Sequence, residues 1–122
     1  MIVDDHEIVR HGVRQILESQ NDWQVCGEAC NGREAIRLSQ ELKPDVIVMD
    51  ITMPVMSGLE ATSEITRANP DSRVLVFTMH DPAPIASQIR STGAKGVLTK
   101  SRAASDLTPA LHAILAGQTY FH

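Results

Sequence analysis

Five short apolar segments alternate with five stretches of helical periodicity, and this alternation constrains the fold more than any other feature of the chain. The apolar segments are residues 1–3, 23–29, 46–49, 73–78 and 96–99. Several of them are continuous apolar runs, which are typical of strands covered on both faces. Strands separated by helices form parallel sheets with helices packed on both sides. The sequence therefore predicts one α/β domain with a five-stranded parallel sheet and five helices.

Capping and breaking residues mark several helix boundaries. Asn31 is a favourable N-cap for the second helix, and Ser105 is one for the fifth. Pro44 and Pro70 predict the ends of the second and third helices, because proline moves the preceding residue out of helical geometry. Gly93 predicts the end of the fourth helix.

Composition excludes several classes of protein. The 122 residues suit one domain, and eleven Lys plus Arg against fifteen Asp plus Glu leave a net charge of −4. That charge has the wrong sign for a surface that must hold nucleic acid phosphates, so direct DNA binding by this chain is not expected. No apolar run approaches the roughly 20 residues of a membrane-spanning helix, so no membrane insertion is expected.

The two cysteines point to a reducing compartment. Cys26 and Cys30 fall in the predicted second strand, where an extended backbone would separate them by roughly 13 Å. That distance is too long for a disulfide. We interpret both as reduced packing residues, and a cytoplasmic location fits this interpretation.

Polar residues stand where the predicted strands end. Asp4 and Asp5 follow the first strand, Asp50 the third and Lys100 the fifth, while Thr78 closes the fourth. In open parallel sheets, ligands bind outside the carboxyl ends of the strands. If the strand order brings these four strands together, three carboxylates share one site and require a cation. Oxygen ligands make Mg²⁺ the natural candidate.

The segments that carry these residues are IVDDHEIVRHG, VIVMDITMPVMSGLE, VLVFTMHD and GAKGVLTK. Together they resemble the receiver domain of two-component response regulators over nearly the whole chain. The resemblance is strongest to the NarL/FixJ-like branch, whose members carry a C-terminal LuxR-type helix-turn-helix. It implies that residues 1–122 form a receiver domain with the flavodoxin-like, doubly wound fold and the strand order 2-1-3-4-5.

The same resemblance implies a role for each polar residue. Asp50 would be the phosphoacceptor, Thr78 would bond the phosphoryl group and Lys100 would pair with it. The Mg²⁺ ligands would be Asp4, Asp5, Asp50 and the backbone carbonyl of Thr52. A carboxylate on a rigid strand end is a nucleophile held in one geometry. Phosphorylation adds about −1.5 to −2 charges and would shift the domain between two arrangements. No enzymatic activity is expected beyond the domain's own phosphoryl transfer and dephosphorylation.

The resemblance also implies partners. A sensor histidine kinase would supply the phosphoryl group, and phosphorylation would either change homodimerisation or free a DNA-binding domain that lies outside these residues. The candidate dimer surfaces are the first and fifth helices, or the face made by the fourth helix, fifth strand and fifth helix. Because the chain stops after the fifth helix, we expect a fragment of a transcription regulator that contacts DNA only through a domain outside these residues.

Three alternatives stay open at this point. A hydrolase of the haloacid dehalogenase type also forms a phosphoaspartate, but places a second aspartate two residues after the nucleophile, where this chain has Thr52. A pseudo-receiver would share the fold without being phosphorylated, and the intact set of polar residues argues against it. A stand-alone receiver would act only on protein partners. His6 could be a metal ligand, but we expect it to begin the first helix and point to solvent.

Overall fold

A computed structural model describes residues 1–121. It contains one parallel sheet with the order β2-β1-β3-β4-β5. The strands are β1 (Ile2–Val3), β2 (Glu28–Ala29), β3 (Ile47–Asp50), β4 (Val74–Thr78) and β5 (Gly96–Thr99). The predicted fold class and strand order are both confirmed.

Five helices connect and follow these strands. They are α1 (Glu7–Glu18), α2 (Gly32–Leu42), α3 (Gly58–Ala68), α4 (Ala86–Ser91) and α5 (Ala103–Leu115). Single 3₁₀ turns, Ala83–Ile85 and Lys100–Arg102, lead into α4 and α5. The Asn31 side chain accepts a hydrogen bond of 2.9 Å from the Glu34 amide, which confirms the predicted cap of α2. Within residues 1–121, none of the helices has the length and apolar character needed to cross a bilayer.

The sheet separates two apolar cores. Along β4, Val74 and Val76 face the core covered by α2, α3 and α4. Leu75 and Phe77 face the opposite core, which α1 and α5 cover. All five residues of β4 are buried, so the central strands are packed on both faces, as their continuous apolar runs predicted. This packing gives rigid support to the polar residues at the strand ends.

The second strand is much shorter than the predicted 23–29. Its only neighbour in the sheet is β1, which spans two residues and pairs with Glu28 and Ala29. Trp23 and Val25 instead pack their side chains against the α1–α5 core. Their alternating pattern therefore reflects side-chain burial rather than a longer ladder. Cys26 and Cys30 are free thiols, as expected, but both are exposed, so their interpretation as packing residues was wrong.

The beginning of the fifth helix also differs from the prediction. The chain leaves β5 through the 3₁₀ turn, Arg102 occupies the N-cap position, and α5 begins at Ala103. Ser105 lies inside the first turn, where its hydroxyl donates to the Arg102 carbonyl at 3.3 Å. The predicted Ser105 cap was therefore wrong. Gly93 has a φ of 88° and follows α4 closely, in agreement with the predicted end of that helix.

Candidate functional site

The carboxyl ends of the inner strands gather the polar residues identified from the sequence. Asp50 is the last residue of β3 and Thr78 the last of β4, while Asp4 follows β1 and Lys100 follows β5. In the sheet register, Asp50 pairs with Phe77, so Thr78 lies one residue further along the neighbouring strand. The strand order therefore places these residues at one edge of the sheet, which meets the condition on which the sequence predicted a shared site.

Three carboxylates and one imidazole form a compact cluster at this edge. Ligand atoms of Asp4, Asp5, His6 and Asp50 all lie within 4.8 Å of one another. Asp4 and Asp50 are buried, whereas Asp5 and His6 are exposed. Hard cations such as Mg²⁺ bind through one or two carboxylates and keep several waters. The donor set, with two buried oxygens and an open side, fits such an ion.

His6 occupies the N-cap position of α1, as expected, with its ring 63% exposed. However, the ring also turns toward the acidic pair: Nδ1 lies 3.1 Å from Asp5 Oδ1 and 3.2 Å from Asp4 Oδ1. The expectation that it points only to solvent was therefore incomplete. Because Mg²⁺ prefers oxygen ligands, we assign the three carboxylates, and not the His6 ring, as the candidate metal ligands of the cluster.

Lys100 supplies the positive charge inside this site. Its Nζ donates to Asp4 Oδ2 at 2.7 Å and lies 3.2 Å from Asp50 Oδ1. The side chain is 13% exposed, so the ion pairs are largely shielded from water. The ammonium group thus holds the carboxylates of two strands together. Sequence reasoning assigned Lys100 to the phosphoryl group but did not identify Asp4 as its nearer partner.

The surroundings shift the protonation equilibria of Asp50 and Lys100. Burial raises the pKa of Asp50, the charge of Asp4 raises it further, and Lys100 offsets only part of this rise. Burial alone would lower the pKa of Lys100. The hydrogen bond to Asp4 and the charge of Asp50 outweigh that effect, so its pKa lies above the ordinary value. Lys100 therefore stays charged, and the Asp50 carboxylate is more basic than an ordinary one.

The loop after β3 comes back against Asp50 at a glycine. The Gly58 amide donates to the Ile51 carbonyl at 2.7 Å. A Cβ atom at position 58 would lie 1.7 Å from the Asp50 carbonyl oxygen, so any other residue requires the backbone to move apart here. This constraint was not predicted from the sequence, although a glycine at the start of a helix can indicate a close approach of two backbones. Thr52, the remaining predicted metal ligand, lies exposed in the same loop.

Thr78 is buried beside the cluster. Its Oγ1 accepts a hydrogen bond of 3.2 Å from the His80 amide. This bond uses the hydroxyl as an acceptor and leaves its hydrogen for a further acceptor. The hydroxyl is therefore oriented by the backbone that follows β4.

Comparison with known proteins identifies the class to which this site belongs. A family model described as the response regulator receiver domain matches residues 1–112. The chain belongs to this family and is a signalling domain of the two-component type.

Individual relatives point to one branch of the family. The chain is 38% identical over 120 residues to the response regulator GacA of Pseudomonas aeruginosa, covering 98% of this chain and 56% of GacA. It is also 38% identical to UvrY of Escherichia coli, covering 98% of this chain and 55% of UvrY. A LuxR-family two-component response regulator from an Aurantimonas species is 42% identical, with a TM-score of 0.94, covering 98% and 86% of the two chains. The chain thus spans a little over half the length of the curated relatives GacA and UvrY.

Proposed function

We propose that Asp50 is the phosphoacceptor of a phosphorylation-operated switch and receives its phosphoryl group from a sensor histidine kinase. The supporting observation is the position of its carboxylate, which is buried at the rigid end of β3 beside Lys100 and the Asp4–Asp5 pair. Response regulators are phosphorylated by such kinases, and the family of this chain is established by residues 1–112.

In the proposed reaction, one Asp50 carboxylate oxygen attacks the phosphorus of a phosphohistidine. An oxygen–phosphorus bond forms as the phosphorus–nitrogen bond breaks, and the departing imidazole keeps the electron pair and takes up a proton. The carboxylate of Asp50 is the nucleophile, and Lys100, 3.2 Å from Asp50 Oδ1, lies close enough to meet the incoming negative charge. The strand holds that oxygen in one position, which lowers the entropic cost of the attack.

Mg²⁺ would be held by Asp4, Asp5, Asp50 and the Thr52 backbone carbonyl, and when bound it neutralises charge on the phosphoryl oxygens. Two features support this assignment: the close set of carboxylate oxygens, and the ammonium group of Lys100 already bound to two of them. Both features indicate that the cluster requires positive charge.

Phosphorylation would change the partners of Lys100 and Thr78. Once Asp50 carries the phosphoryl group as an acyl phosphate, the new phosphoryl oxygens offer Lys100 a denser negative charge than one carboxylate does. The Thr78 hydroxyl hydrogen can then be donated to the same group. We propose that these two contacts bias the domain toward a second arrangement, whose altered surface is the output.

The proposed output of the switch, control of transcription, rests on the relatives of this chain. The chain spans 55–56% of GacA and UvrY. It also resembles a LuxR-family regulator. We propose that residues 1–122 are the receiver portion of a transcription regulator that contacts DNA through a separate domain. Homodimerisation would use α1 with α5, or the face formed by α4, β5 and α5. Sequence-specific DNA binding by residues 1–122 alone would contradict this division of roles.

Intact mass spectrometry tests the phosphoacceptor. With Mg²⁺ and acetyl phosphate, the wild-type chain should gain one acid-labile phosphoryl group, and Asp50→Asn should gain none. Asp45→Asn is a matched control, because Asp45 is an exposed carboxylate on the segment leading into β3. Phosphorylation of Asp50→Asn to the wild-type extent would refute the assignment.

A second set of variants separates acceptance of the phosphoryl group from the conformational response to it. Asp5→Ala should lose Mg²⁺ binding and phosphorylation together, because it removes the exposed carboxylate of the cluster. Thr78→Ala should still accept the phosphoryl group while showing a smaller change in amide exchange.

The hydrolase alternative remains disfavoured by Thr52, whose hydroxyl cannot replace a carboxyl group as the acid and base.

A further inference from the structure

Behind the acidic cluster, a second network of charged side chains joins α1 to the edge of the sheet. Its centre is Glu28 of β2, which accepts hydrogen bonds from Arg10 and Arg14 on successive turns of α1. Arg10 Nε donates to Glu28 Oε1 at 2.9 Å, and Arg14 Nε donates to Glu28 Oε2 at 2.9 Å. Arg14 Nη2 forms a further contact with Glu28 Oε2. The network contains no residue assigned to phosphoryl transfer.

Arg10 differs from Arg14 in one further contact. Its Nη1 donates to the backbone carbonyl of Asp4 at 2.7 Å. Arg14 instead directs its Nη1 to Glu18, at 3.2 Å on the same helix. Arg10 is therefore the link between the Glu28 network and the backbone of a proposed metal ligand.

The guanidinium of Arg10 is itself held in place. The side chain is 18% exposed and its Nε is fixed by Glu28. The hydrogen bond from Arg14 lowers the pKa of Glu28 most strongly, and Arg10 contributes to the same shift. Glu28 therefore stays ionised and keeps both guanidinium groups oriented. A charge-assisted hydrogen bond from a fixed donor restrains its acceptor more firmly than one from a mobile side chain.

We propose that Arg10 is a positioning residue for metal binding, acting through the Asp4 backbone, an inference that rests on the proposed Mg²⁺ site. Asp4 is held at four points: its amide by the Ala29 carbonyl at 3.0 Å, its carbonyl by Arg10, Oδ1 by the His6 amide at 2.9 Å, and Oδ2 by Lys100. Mg²⁺ would displace the Lys100 contact. The carbonyl and Oδ1 contacts would then determine how the carboxylate meets the ion, and partners that orient a ligand commonly change metal affinity strongly.

Isothermal titration of Mg²⁺ into the unphosphorylated chain tests this role without relying on phosphorylation. Arg10→Met keeps the aliphatic stem and removes both hydrogen bonds, and should weaken Mg²⁺ binding by about tenfold. Arg14→Met is the matched control, because it removes the same charge from the same glutamate without touching Asp4. Losing a positive charge should by itself favour Mg²⁺, so Arg14→Met should bind as tightly as wild type or slightly more tightly.

Arg10→Lys keeps the positive charge but loses the forked guanidinium. Its single ammonium group cannot bond Glu28 and the Asp4 carbonyl in the same way, so it should recover only part of the affinity lost in Arg10→Met. The urea midpoints of all three variants show whether weaker binding reflects general unfolding. Equal Mg²⁺ affinity in Arg10→Met and Arg14→Met would overturn the positioning role, as would full wild-type affinity in Arg10→Met. If the wild-type chain itself bound no Mg²⁺, the metal site would be refuted and this inference with it.

Discussion

Replacing Gly58 by alanine should cost about 3 kcal/mol of folding free energy, because the new methyl group has no space beside β3. The added Cβ would lie 1.7 Å from the Asp50 carbonyl oxygen and 2.7 Å from its carbonyl carbon. Since ordinary contacts begin at 3.4 Å, the start of α3 must move away by more than an ångström. Overpacking of a core typically costs about 1–3 kcal/mol.

The same movement would stretch the hydrogen bond that joins the start of α3 to the loop after β3. The Gly58 amide donates to the Ile51 carbonyl at 2.7 Å. This bond contributes about 0.5–1.5 kcal/mol, which brings the total to about 3 kcal/mol. For a domain of this size, that loss lowers Tm by about 10 °C or more.

Urea denaturation of Gly58→Ala, paired with Gly12→Ala, measures this effect. Gly12 lies in the middle of α1, where an added Cβ meets nothing within 4 Å. Gly12→Ala should therefore gain about 0.5–1 kcal/mol from helix propensity. Gly58→Ala should also be phosphorylated more slowly, because the displaced backbone carries Asp50. If the two variants differed by less than about 1 kcal/mol, the close approach of α3 to Asp50 would not be as tight as described.

Three further outcomes follow from the site and the helix ends. Asp50→Asn should stabilise the metal-free fold at neutral pH. Burial raises the pKa of Asp50, so folding disfavours its ionised form. The gain in folding free energy should shrink as the pH falls through the pKa of Asp50 in the folded state, and vanish below its pKa in the unfolded state. Urea midpoints measured across this pH range test the prediction. Lys100→Met should lose about 3 kcal/mol by leaving Asp4 and Asp50 unpaired, and added Mg²⁺ should restore part of this in the same assay. Asn31→Ala should cost about 1 kcal/mol, whereas Ser105→Ala should change the thermal midpoint little because Ser105 is not a cap.

The sequence predicted the central strands well because their environment is uniform. β3 to β5 are covered on both faces, so their apolar runs coincide with the strands to within a residue. The second strand was overestimated because Trp23 and Val25 alternate for another reason: they cover the α1–α5 core outside the ladder. Strand order is not encoded in periodicity at all, and it came from the resemblance to receiver domains.

The sequence predicted which residues gather at the site, but not which of their side chains contact one another. The placement of Asp50, Thr78 and Lys100 at strand ends could be read directly from the chain. The hydrogen bond from Lys100 to Asp4 joins residues 96 positions apart and depends on side-chain rotamers that no local pattern specifies. The hydrogen bond from Arg10 to the Asp4 carbonyl was unpredictable for the same reason, because the sequence shows only that Arg10 lies on α1.

The central position of β1 in the sheet has a consequence for how the site arises during folding. β1 pairs with β2 on one side and with β3 on the other, and Ile2 meets Val48 across a long separation in sequence. Such non-local pairings are slow to form because the chain between them must first be closed into a loop. Asp4 therefore meets Asp50 only when β3 docks, and Lys100 joins them only when β5 completes the edge. A nascent chain that ends before β5 holds its carboxylates without their ammonium partner, so the proposed phosphoacceptor site is complete only when the whole sheet has formed.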